Sequence, residues 1–278
     1  MICQEVFINT FNNILANSIL VNTLTPIKEV NMKKAIALAF TAIWSLGLIH
    51  TSSWAAGNDL TLPRPPNIYT QDEFKELSET IGLLISYKPL APAEPLGILG
   101  FDIGLEVSAV DVDQDASFLT QVISDPPSYV VFPKLHAQKG LPFGIDVGVV
   151  YAKVPDSNIG LIGGELKWAV LKGSVATPAI ALRGSYTRLL GVDDIDLSTY
   201  GVDISASKGF GFLTPYIGVG QVWIQSSSNV SSLNLSDENL SKTKGFVGLK
   251  VKLILLSFVG EVEFANVMSY TLRANISF

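Results

Sequence analysis

The sequence predicts an all-β chain, folded as an antiparallel transmembrane β-barrel of about 10–12 strands, twelve favoured, with a short N-terminal helix. Three observations predict it. Of the 278 residues, 48% are hydrophobic and only 16% charged, against roughly 25% charged in soluble domains. Beyond Ala56 no uncharged apolar run approaches the roughly 20 residues that a membrane-spanning helix needs. From about residue 80 to Phe278, apolar residues instead recur with period two, in segments of about ten residues separated by turn residues. In lipid every backbone polar group needs an internal partner, so a chain that crosses on strands must close into a barrel.

Composition excludes several functions. The net charge is −6 and the pI about 5.0, so no basic stripe is available for nucleic acid. Cys3 is the single cysteine, and His50 and His136 are the two histidines. That removes a disulfide framework and leaves little for a metal site, so no cofactor and no metal are expected.

The N-terminus reads as an export signal. Met32-Lys33-Lys34 is a basic start, Ala35 to Ile49 is apolar or small, and Ser53 and Ala55 stand at the −3 and −1 positions of a cleavage after Ala55. Residues 32–55 are therefore expected to be a signal peptide, and 1–31 an over-extended gene start. Cleavage removes Cys3, His50, Glu5, Glu29, Lys28, Lys33 and Lys34, and takes the net charge from −6 to −7. Residues 56–79 follow as a Pro-rich linker and a helix over 71–79. That helix opens on a capping box, Thr70-Gln71-Asp72-Glu73. It is expected either to plug the lumen or to sit under the periplasmic rim.

The barrel is assigned to 80–278. Segment 80–88 alternates through Ile81, Leu83, Ile85 and Tyr87. Segment 97–111 turns Phe101, Ile103, Leu105 and Val107 outward and Asp102 and Glu106 inward. Segment 129–138 places Lys134 and His136 inward, 142–154 Asp146, and 160–172 Glu165 and Lys167. Segment 177–189 places Arg183 inward and 197–208 Asp203; segment 213–226 is apolar on both faces. Segment 243–255 places Lys250 and Lys252 inward, and 258–265 Glu261 and Glu263. In the last segment Tyr270, Leu272, Ala274, Ile276 and Phe278 alternate with Thr271, Arg273, Asn275 and Ser277. These are eleven segments, and a bacterial barrel has an even number of strands.

An alternating final strand that ends on a C-terminal Phe resembles the assembly signal of Gram-negative outer-membrane β-barrel proteins, here Tyr270, Leu272, Ile276 and Phe278. The chain is similar to the small, uncharacterised families of that class. The resemblance implies the cell outer membrane as location, and its lipid and the barrel assembly machinery as partners. Counting back from a periplasmic C-terminus puts 139–142, 173–176, 209–212 and 256–257 in periplasmic turns. It puts 112–128, 190–196 and 226–242 outside, with a short helix at Ala116–Ile123.

The inward charges nearly cancel: seven acids (Asp102, Glu106, Asp146, Glu165, Asp203, Glu261, Glu263) against six bases (Lys134, Lys167, Arg183, Lys250, Lys252, Arg273). Hairpin registers chosen to oppose unlike charges pair Lys252 with Glu261, Lys250 with Glu263, Lys134 with Asp146 and Glu165 with Arg183. A hydrolase would need a base, and His136 has no Ser or acid partner that the sequence selects, so no enzyme is expected. The expected function is a small passive channel or uptake barrel for small solutes. The alternative is a non-conducting structural or surface-interaction barrel with a salt-bridged lumen.

Overall fold

The computed structural model describes residues 59–64, 69–112, 116–121, 129–154 and 157–278. The expected signal peptide and the residues before it lie outside these. Ten antiparallel strands form the wall. They are β1 (Phe101–Asp111), β2 (Tyr129–Gly140), β3 (Ile145–Lys153), β4 (Gly160–Leu171) and β5 (Ala179–Leu190). β6 (Ile195–Ser207), β7 (Leu213–Ser228), β8 (Glu238–Leu253), β9 (Leu256–Phe264) and β10 (Met268–Ser277) complete it. Each strand pairs with the next, and β10 returns to β1, from Asp102 opposite Ser277 to Val110 opposite Ser269. Two backbone bonds between Phe101 and Phe278, of 3.2 and 3.0 Å, fasten the seam.

The alternation fixes which side chains face out. Leu272 is 63% exposed and the next residue, Arg273, 2%; Ile103 is 57% exposed and Asp102 1%. Apolar residues outside and charges inside invert the order of a soluble domain. Even the shortest strands are long enough for a bilayer: the nine residues of β3, at about 3.3 Å each and about 40° of tilt, rise about 23 Å, close to the ~25 Å apolar band of such barrels. Tyr186, Tyr200 and Trp223 stand side by side across β5, β6 and β7, on the outer face at one end.

That end carries the longer connections, including 112–128 and 229–237, and is called the loop end. The other carries the short turns 141–144, 172–178, 208–212 and 254–255 together with Phe278, and is called the turn end. Of the expected helix at Ala116–Ile123, α2 (Ser117–Thr120) is observed, and Val122 and Ile123 lie outside the described residues.

Two expectations are corrected. Twelve strands are ten, because 80–88 is no strand. The wall begins at Phe101, and the N-terminal helix α1 spans Gln71–Ile85 instead of 71–79. Leu77, Ile81, Leu84 and Ile85 follow the 3.6-residue period as well as Ile81, Leu83 and Ile85 follow the period of two, so a short apolar run satisfies both. The capping box is present as read, with the Glu73 carboxylate accepting from Thr70 N–H at 2.9 Å. The helix does not lie under the rim where the chain ends. It lies inside the loop end: Gln71 bonds to Ser236 O in the β7–β8 connection and to Glu238 at the start of β8, and Glu79 pairs with Lys242 at 2.6 Å.

The ambiguity of segment 213–226 is explained by the same helix. Val222 and Ile224 of β7 face inward and are buried against it, while Ile217, Val219 and Trp223 face out. Gly82 makes the contact close, since a Cβ there would stand 2.5 Å from the Ile224 side chain.

Candidate functional site

The candidate site is the lumen, and the chain's own N-terminal segment fills it. The loop half is apolar. Phe74, Leu77, Leu83 and Ile85 of α1 pack with Phe132, Val150, Leu161, Leu197 and Ile224 of the wall, all at most 5% exposed. At the same end Leu62 N–H is held by Asp194 at 3.0 Å and Leu60 N–H by the Asn158 side chain at 3.0 Å. Arg64 pairs with the same Asp194 at 2.8 Å.

Residues 86–96 then run through the lumen to the turn end with no helix or strand of their own. Such a strap has no ladder to satisfy its backbone, and buried backbone groups need partners. Pro89, Pro92 and Pro95 reduce the demand, since proline has no N–H. The wall's charged side chains meet the rest. Lys244 donates to Tyr87 O at 3.1 Å, and Glu261 accepts from Leu90 N–H at 2.9 Å. Arg273 donates to Leu90 O. Lys167 donates to Pro92 O at 3.0 Å and Glu94 O at 3.1 Å, and Asp146 accepts from Leu96 N–H at 3.1 Å. Leu90, held at both backbone groups, sits at φ +41°, a conformation that a non-glycine residue keeps only when its surroundings impose it.

Side chains of the strap complete the network. Lys88 reaches Glu263 at 2.5 Å, and Lys244 reaches the other Glu263 oxygen at 2.8 Å. Tyr87 Oη lies 3.0 Å from His136 Nε2, and Arg273 lies 2.9 Å from His136 Nδ1. A guanidinium only donates, so Nδ1 accepts and neutral His136 carries its proton on Nε2, towards Tyr87. Both ring nitrogens are thus engaged, and neither is free to act as a base.

Eleven of the thirteen charges read as luminal are buried inside the barrel: Asp102, Glu106, Lys134, Asp146, Glu165, Lys167, Arg183, Asp203, Glu261, Glu263 and Arg273. Lys250 is half-buried, 3.6 Å from Asp102. Lys252 is exposed at the turn-end rim, beside the two-residue turn Ile254–Leu255.

The expected partners are largely corrected. Leu253 pairs with Leu256, so Lys250 stands opposite Val259 and Lys252 opposite Ser257, not the two glutamates. The turn has the expected two residues but is placed two residues earlier, at Ile254–Leu255, with Ile254 at φ +55°. Lys134 lies opposite Glu106 of β1 and bonds to it at 3.0 Å, and Asp146 takes Lys167 of β4 at 3.0 Å. Glu165 and Arg183 do meet, at 2.7 Å, but diagonally: their strands oppose Glu165 to Ser185 and Lys167 to Arg183. Asp203, directly opposite Arg183 on β6, adds a second acid at 3.7 Å.

Sequence reasoning missed Lys88, Lys244 and Tyr216, whose hydroxyl donates to Glu261 at 2.8 Å. The signal for the strap was present in Pro89, Pro92 and Pro95, spaced by three between the helix and the first strand. Among the described residues no group of His, Cys, Asp and Glu has the arrangement of a metal site.

No model of a known protein family matches the chain, and neither does any curated protein. Several solved structures are similar. The outer membrane protein OprG from Pseudomonas aeruginosa shares 11% identity over 68% of this chain and 99% of its own, with a TM-score of 0.34. The N-terminal β-barrel domain of Pseudomonas aeruginosa OprF shares 12% over 64% and 97%, with a TM-score of 0.33. The KdgM porin, solved in complex with disordered oligogalacturonate, shares 10% over 65% and 99%, also with a TM-score of 0.33.

Proposed function

We propose that the protein is an outer-membrane β-barrel, exported through a signal within residues 32–55, whose lumen its own N-terminal segment closes to solutes. The apolar outer surface of a closed barrel supports the membrane setting. Exposure of Leu272, Ile217 and Leu135, each more than half exposed, is unfavourable in water and favourable in lipid. The observation that carries the closed state is the strap. Residues 86–96 occupy the lumen, and seven strands hold them there through Lys167, Asp146, His136, Tyr216, Lys244, Glu263 and Arg273, directly or through one further residue. A conducting pore needs a continuous wet path lined by groups of the selected sign. Here acids and bases alternate and are engaged with each other and with the strap.

The resting state is therefore non-conducting, and solute passage requires the strap to leave. Planar-bilayer recording tests this. The chain starting at Asp59 should insert and show no resolved conductance steps. The chain starting at Gly97, refolded in the same detergent, should show open steps. Steady conductance from the strapped barrel would refute the reading.

A further inference from the structure

The wall has one short ladder. Nine of the ten strand pairs are joined through nine or more residue pairs, but β2 and β3 share only the six from Leu135–Tyr151 to Gly140–Asp146. β2 itself runs on to Tyr129, still paired with β1. Continued upward, the β2–β3 register sets Lys134, Pro133 and Phe132 opposite Ala152, Lys153 and Val154, and among the described residues these three have no ladder partner on the β3 side. Pro133 stands in that stretch and has no N–H to offer a neighbouring strand. Tyr129, Pro133 and Leu135 are exposed on the outer face, so the open edge looks onto the same surface as the rest of the apolar band.

Behind this edge lies a cavity of about 80 Å³. Ile81 and Leu84 of α1, Phe118 and Leu119 of α2, and Phe132 and Val154 of the wall line it. Val130 and Val131 of β2 line it too, so the cavity lies directly against the upper stretch of this strand. Thr80 carries the only polar side chain among the described lining residues. A dry cavity of this kind gives a water molecule too few partners and takes an apolar occupant. Size narrows the choice: an apolar protein cavity of about 150 Å³ takes up benzene, and a space of about half that volume suits the end of a slim chain better than a ring.

We infer that this cavity is a lateral binding site for the acyl chain of a bilayer lipid, entered between β2 and β3 above Leu135. The inference rests on the membrane reading given above, because lipid is what lies against the open edge. It does not need the axial lumen to open, since the strap and its ion pairs lie below the cavity.

Photo-labelling tests it with two separate readouts. The full mature barrel is placed in phosphatidylcholine vesicles doped with a phosphatidylcholine that bears a diazirine at the end of one acyl chain. After illumination, labelled peptides are mapped by mass spectrometry. Label on outer-face peptides, such as the one holding Leu272, reports the membrane setting. Label on the interior α1 and α2 peptides holding Leu84 and Phe118 reports the site. Ile81→Trp, which fills the cavity from the helix, should cut interior label at least about fivefold and leave outer-face label unchanged. Leu119→Trp fills it from the other side, should behave the same, and serves if the first variant fails to fold. Outer-face label without interior label would overturn the site and leave the membrane reading standing. So would interior label that survives both fillers. A folded barrel labelled on neither face would overturn both.

Discussion

Glu263 is the joint between strap and wall, and its substitution is the most direct test of the plugged lumen. Its carboxylate is 3% exposed and accepts from two ammonium groups, Lys88 of the strap at 2.5 Å and Lys244 of β8 at 2.8 Å. Glu263→Gln leaves two buried cations facing a neutral amide. Removing one partner of a buried pair costs about 3–5 kcal/mol, most of it the penalty of the charge left behind. Lys88→Met is milder. Glu263 keeps Lys244, and the loss is close to one charge-assisted hydrogen bond, about 1.5–3 kcal/mol. Lys252→Glu, at the exposed rim, should stay within about 0.5 kcal/mol. The order expected from urea unfolding in vesicles is therefore Glu263→Gln, then Lys88→Met, then Lys252→Glu. After Lys88→Met is introduced, Glu263→Gln should cost less than it does alone, because one of the two stranded cations is gone. Equal, small effects at positions 263 and 252 would mean that Glu263 is hydrated, and the reasoning from a packed lumen would fail.

Three further outcomes follow from the geometry. Leu272→Lys places an ammonium on the lipid face near mid-strand, where the cost is about 2–4 kcal/mol, and unfolding in vesicles should show it while Thr271→Ser, one residue away and inward, shows much less. Deletion of Phe278 removes the ring stacked 6.0 Å from Phe101 and the two backbone bonds between Phe101 and Phe278. Outer-membrane levels by heat-modifiable mobility should fall strongly with export intact; unchanged levels would sink the assembly-signal reading. An epitope placed before Asp59 should be readable on intact cells and one after Phe278 should not, because residues 59–64 are bound to Asn158 and Asp194 at the loop end. Equal accessibility of both tags would contradict the threaded path.

The wall was legible in the sequence because its signal is strictly local. Alternation such as Asp102, Ile103, Gly104, Leu105, Glu106 needs no knowledge of the neighbouring strand, and eleven of the thirteen charges it turns inward are buried in the structure. Register was not legible, since it depends on which residues form the turn. Moving one turn by two residues separates Lys250 and Lys252 from both glutamates. The start of the helix was legible in its capping box, but its last turns and the strap were hidden for a different reason. In 80–88 one set of apolar residues fits two periods, and the arbiter is what the segment packs against, namely Val222 and Ile224, far away in sequence. Lys244 was passed over because in isolation a lysine at the start of an alternating segment reads as a solvated end. The strand in fact begins at Glu238, so Lys244 lies within it, faces inward and is bonded to Glu263 and to Tyr87 O of the strap.

The two halves of the lumen set different terms for opening. In the turn half, the strap is held by hydrogen bonds and ion pairs. Water could replace these at modest net cost, because each exchange trades one polar partner for another and a protein hydrogen bond nets only about 0.5–1.5 kcal/mol. In the loop half, Phe74, Leu77, Leu83 and Ile85 are sealed against apolar wall residues. Withdrawing each costs about 1.5–3 kcal/mol with nothing gained from water, so the four together hold on the order of 10 kcal/mol. The wall charges alone would rehydrate and leave a wet channel of mixed sign; it is the apolar collar around α1 that keeps the strap from being pulled through. Withdrawal of α1 would therefore have to be offset at the loop end. New apolar contacts would have to replace those that α1 loses, and the apolar cavity beside Ile81 and Leu84 is where such contacts can be made first.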